Sequence, residues 1–96
     1  MTITEAIHKV KLVDSIFTPS EASDLVNALI REKINFHKLH RLSVHEGDCS
    51  SDTSYDDGRI AQLLKEKENF APIFKEAMIA GKEVKISGSL EITIIN

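Results

Sequence analysis

Two histidines, His37 and His40, lie three residues apart in the most basic stretch of an acidic chain. On a helix that spacing puts both imidazoles on one side, where they can share a metal ion or hydrogen-bond to a facing carboxylate or carbonyl. His45, Asp48 and Cys49 follow, but the spacing fits no zinc signature and one helix cannot enclose an ion. Hydrogen bonding to a facing helix is the plainer expectation, and no metal or cofactor is expected. Arg31, Lys33, Lys38 and Arg41 surround the pair and offer an alternative. Segment 31–41 could bind a phosphate ligand or nucleic acid, with Phe36 stacking on a base. Against this, the basic residues spread around the helix, with Arg31 and Lys38 on its outer face, and the formal net charge is -3.

Other chemistry is sparse. The chain carries no GxSxG, P-loop or dinucleotide fingerprint. No pair of carboxylates is placed for acid–base work, so no enzyme is expected. Asp52, Asp56 and Asp57 miss the EF-hand spacing, and Asp56 and Asp57 are read as charges favoured at a helix N-terminus. Cys49 has no neighbour that would make it a reactive thiolate. As the single cysteine it makes no internal disulfide, which suits a reducing compartment.

The elements that position these groups follow from punctuation and periodicity. Thr18-Pro19-Ser20-Glu21 reads as a helix start, with Thr18 as cap, Pro19 at the first helical position and Glu21 closing a capping box. That helix is expected over about 19–46, with Gly47 as the stop. Ala22, Leu25, Val26, Leu29 and Phe36 share one face on a 100° turn, with Lys33 and His40 near its middle and His37 on its flank. Either these polar groups meet partners across the fold, or this half of the helix is not buried within one protomer. Polar residues 47–55 read as a loop.

A second helix is expected over about 56–80, capped by Ser54 or Asp56 and stopped by Gly81, with a kink at Pro72. Its stripe of Ile60, Leu63, Leu64, Phe70, Phe74, Ala77 and Met78 contains Lys67, whose stem can cover apolar surface while the amine reaches water. From an antiparallel layout, the expected partner of His40 is Glu66 or Gln62, or a residue of a second subunit.

Residues 83–95 alternate. Val84, Ile86, Leu90, Ile92 and Ile94 take one face and Lys85, Ser87, Ser89, Glu91 and Thr93 the other, with a bend or bulge expected at Ser87-Gly88-Ser89. Val10 and Leu12 alternate with Lys9 and Lys11, which suggests a strand over about 7–14. A competing reading makes Thr2-Ile3-Thr4-Glu5 a capping box and the segment a helix. The expected fold is one α+β domain, residues 1–96, of order β-α-α-β. A long antiparallel helical hairpin packs on a two-stranded antiparallel ribbon. Such a ribbon is marginal alone and its free edges invite a partner.

Phe17-Thr18-Pro19-Ser20-Glu21-Ala22, Lys33-Ile34-Asn35-Phe36-His37, Arg59-Ile60 and the alternating tail together resemble a family of small uncharacterised bacterial proteins. The resemblance implies a bacterial, cytoplasmic setting and no activity. Met1-Thr2-Ile3-Thr4-Glu5 also lacks the basic-then-apolar pattern of a signal peptide, and no apolar run approaches a membrane span. The expectation for function is a non-enzymatic binding or assembly module, homodimeric or joined to another protein, rather than a nucleic-acid or membrane binder. Lys33, Phe36, His37, His40, Arg41 and Lys67 are its candidate contact residues.

Overall fold

Thr18 and Glu21 do form the capping box that their spacing requires. The Thr18 hydroxyl accepts the Glu21 N–H at 3.2 Å, and the Glu21 carboxylate accepts the Thr18 N–H at 3.0 Å. The structure, a computed structural model, describes residues 4–47 and 52–95. Its elements run β1 (Thr4–Phe17), α1 (Pro19–Gly47), α2 (Ser54–Ala80) and β2 (Val84–Ile95). Thr18→Ala is expected to cost about 1 kcal/mol, read as a lower midpoint in urea. An unchanged midpoint would show the box to be redundant.

α2 is continuous through Pro72, and its expected stop holds. Gly81 adopts the left-handed conformation, φ 66° and ψ 32°, which a side chain would disfavour. There its N–H reaches the Met78 carbonyl at 3.2 Å while Lys82 N–H reaches Ala77 at 2.9 Å. From Thr4 to Phe17 the chain is strand, so the helical reading of this segment fails there, while Thr2 and Ile3 of the expected capping box lie outside the described residues. β1 pairs antiparallel with β2 from Thr4↔Ile95 to Phe17↔Val84.

A bulge does fall in the ladder against Gly88 and Ser89, but the extra residue is on β1 and not in Ser87-Gly88-Ser89. Register shifts fall between Ala6 and His8 and between Lys11 and Val13. The second makes Leu12 the extra residue. It resets the alternation, so that Val13, Ser15 and Phe17 join Val10 and His8 on the face shared with Ile86 and Leu90.

The core lies between the helices, where Ile30, Ile34 and Ile60 form a cluster supported by Val26, Leu63 and Phe70. This corrects the expected face of α1. The buried stripe is Ala22, Ile30, Ile34 and His37, with Val26 half-buried, whereas Leu29 and Phe36 are exposed. The physical reason is that α1 carries two apolar stripes, and α2 covers only the one centred on Ile30 and Ile34. The ribbon meets the hairpin at its near half. Val84, Ile86, Val13 and Phe17 are half-buried, but Val10, Leu90, Ile92 and Ile94 stay exposed. An open groove of about 400 Å³ runs between Val26, Phe70, Phe74, Val84 and Ile86. Among the described residues no helix is long and apolar enough to cross a membrane.

Candidate functional site

An antiparallel hairpin sets the C-terminal half of α1 against the N-terminus of α2. Cations are favoured at the first of these helix ends and anions at the second, and the sequence supplies both. Asp56 lies in the first turn of α2 and is 4% exposed. Its two carboxylate oxygens accept from His37 Nδ1 at 2.9 Å and His40 Nδ1 at 2.7 Å. Next to it, Arg41 donates to Asp57 at 2.7 Å, and the Thr53 hydroxyl donates to the other Asp57 oxygen at 3.0 Å.

His40 is therefore held by Asp56, not by Glu66 or Gln62; Gln62 instead accepts from Arg59 on its own helix. The reason is an offset. The first turn of α2 already stands against His37, His40 and Arg41, so the residues after Arg41 run past the start of α2. A hairpin centred on the connecting residues would instead have put positions 62–67 opposite His40.

The hydrogen bonds from His37, then those from His40, hold the Asp56 carboxyl below the usual carboxylate range. The Arg41 guanidinium, helped by Thr53, does the same for Asp57. For Asp56 to accept twice, each imidazole carries its proton on Nδ1, which leaves Nε2 as the second ring position. His37 is 3% exposed, and its Nε2 is buried with no hydrogen-bond partner. The cluster ties α1 to the first turn of α2 as a polar clamp. Among the described residues no group of three or more His, Cys, Asp and Glu side chains is arranged to hold a metal ion.

The outer side of the clamp is different. The Phe36 ring is 55% exposed, lies 6.2 Å from His40 in a stacked arrangement and meets His37 edge-on at 5.3 Å. Lys33 Nζ stands 4.6 Å from the Phe36 ring centroid, within cation–π reach. Lys33, Phe36 and His40 thus form one column on the uncovered side of α1, flanked by the exposed Leu29 and Leu39.

Of the six candidate contact residues, the structure gathers Lys33, Phe36, His37, His40 and Arg41 at the turn end of the hairpin. Lys67 is exposed, farther along α2. The expected ligands Asp48 and Cys49 lie outside the described residues, as does the side chain of His45. Asp56 is the residue that sequence reasoning assigned too little. The signal for it was a histidine pair needing an acceptor and an aspartate in the first turn of the facing helix.

No family model, curated protein or solved structure matches the chain. Its resemblance to small bacterial proteins therefore stands as a proposal.

Proposed function

We propose that this chain is a non-enzymatic assembly module that works as a homodimer. One observation carries the reading: the protomer has far more surface than its mass accounts for. It exposes 7467 Å² at 10.7 kDa, where a folded monomer of that mass exposes about 5,500 Å². The radius of gyration is 17.3 Å, against about 12.5 Å for a compact chain of this length. An excess of about 2,000 Å² per protomer lies within what obligate dimers bury. That surface is apolar where it matters, since Leu29, Phe36 and Leu39 line α1 while Leu90, Ile92 and Ile94 line the far half of the ribbon. Patches of this kind mark association sites.

A second copy fits because both bare faces belong to one chain and neither is strongly charged. Within the basic segment Arg41 is paired with Asp57, and His37 and His40 are bonded to Asp56. A bacterial, cytoplasmic setting belongs to the same reading, on the strength of the sequence resemblance.

Sedimentation velocity from nanomolar to high micromolar concentration tests it. The expected result is a dimer whose thermal midpoint rises with concentration. Phe36→Glu should shift the population to monomer or make folding itself more concentration-dependent. A wild-type monomer at high micromolar concentration would end the reading. Retention on heparin that falls steeply with salt would favour the phosphate reading of segment 31–41 instead.

A further inference from the structure

We infer that two copies join edge to edge through β2, antiparallel about Gly88, making a four-stranded sheet of order β1-β2-β2-β1. The inference rests on the homodimer reading and specifies the part of its interface that the ribbon supplies. In the two-stranded sheet each strand has one neighbour and one open edge. The two edges are not equivalent. β1 is interrupted by register shifts between Ala6 and His8 and between Lys11 and Val13, and bulges of this kind blunt an edge against pairing. β2 carries no extra residue over its 12 positions, and everything from Ser87 to Ile95 is exposed. It therefore offers an unbroken ladder of backbone donors and acceptors to an incoming strand.

Charge selects the register. β2 has two charged side chains, Lys85 and Glu91, and both point to the polar face. In its own ribbon Lys85 stands beside Ile16, with no acidic residue directly across from it, whereas Glu91 faces Lys9. Pairing about Gly88 puts Lys85 of each copy opposite Glu91 of the other, twice over by symmetry. The same register sets Ile86 opposite Leu90 and Val84 opposite Ile92 on the apolar face. It brings the bare half of one ribbon beside the half that the other copy's hairpin overlies. Leu90 and Ile92, exposed in one protomer, then gain cover from the second. Gly88 at the axis lets the backbones approach, and a side chain there would still fit, since an added Cβ meets only Val13 Cγ1 at 3.7 Å.

The test uses the full chain carrying Cys49→Ser. Lys85→Glu and Glu91→Lys, each alone, set like charges opposite one another and should raise the dimer dissociation constant about tenfold. An equimolar mixture of the two variants should return to near the wild-type value, because every contact is again Lys against Glu. Gly88→Cys should form a disulfide-linked dimer under mild oxidation, whereas Lys9→Cys on β1 should not. If the protein is a dimer but the mixture shows no rescue and Gly88→Cys does not cross-link, edge pairing is wrong and the homodimer reading stands. A wild-type monomer overturns both.

Discussion

Ile34→Ala should be the most damaging truncation in the chain, lowering stability by about 3 kcal/mol and the thermal midpoint by about 15 °C. Ile34 is 8% exposed and sits with Ile30 and Ile60 in the cluster that joins the two helices. With so few buried side chains, the loss has nowhere to be compensated, because the hairpin has no second core layer to relax into. Deleting three heavy atoms there removes transfer free energy and leaves a cavity lined by residues of both helices. Leu39→Ala is the informative control. Leu39 is exposed in the protomer, so its truncation should leave the unfolding of a dilute monomer nearly unchanged while weakening association. Chemical denaturation at two protein concentrations separates these effects. Equal losses for Ile34→Ala and Leu39→Ala at low concentration would mean that the buried stripe of α1 is not the one described.

Asp56→Ala should have the next largest effect, a fall in midpoint on the order of 10 °C, because it strips the acceptor from two imidazoles at once. Asp56→Asn should be milder. Its amide oxygen can accept from His37, and its NH2 can donate to a His40 that has switched tautomer, which the half-exposed ring of His40 permits. The two variants also separate structure from charge through pH. The folded-state pKa of Asp56 is depressed, chiefly by the hydrogen bond from His37 and then by that from His40. Its contribution is therefore complete above the unfolded carboxylate value of about 3.9. It is lost as the pH falls through the lower folded value. Wild-type protein should thus lose stability in acid over that window, and Asp56→Asn should lose less. Parallel acid profiles for the two proteins would show that the Asp56 carboxylate makes no such contribution. In nitrogen-detected NMR, His37 should carry its proton on Nδ1 at neutral pH, and that signature should vanish in Asp56→Ala.

Much of the architecture was legible in the residues because its signals are local. A capping box at Thr18 and Glu21, a left-handed glycine at Gly81 and the alternation of residues 84–95 each depend on a few adjacent positions. Each formed where the sequence put it. The order β-α-α-β followed, and so did an antiparallel hairpin with a paired ribbon. Lys33 and His40 were also recognisable as residues that a plain apolar core would not place in the middle of a helix face, and both are exposed, with His40 reaching across to Asp56.

What sequence periodicity left open was phase and offset between elements. α1 carries two apolar stripes, and helical spacing cannot say which of them meets α2. Only the packing of Ile60 against Ile30 and Ile34 decides it, and that choice buries His37 and exposes Phe36. The partner of His40 depended on how far α1 runs past the start of α2, a distance that periodicity within either helix does not fix. A shift of two turns replaced Glu66 and Gln62 with Asp56. In the ribbon, the extra residue at Leu12 put Val13, Ser15 and Phe17 in phase with Val10, which strict alternation along β1 would not have done. By itself the sequence determined the two helices and the C-terminal strand to within a few residues, since those depend on neighbours along the chain. β1 extends past the expected 7–14 to Thr4 and Phe17, and α2 starts at Ser54 after Thr53 and not with a cap at Ser54 or Asp56. The tertiary structure decided which faces they share, because one residue of register or a third of a helical turn moves a side chain from the core to the surface.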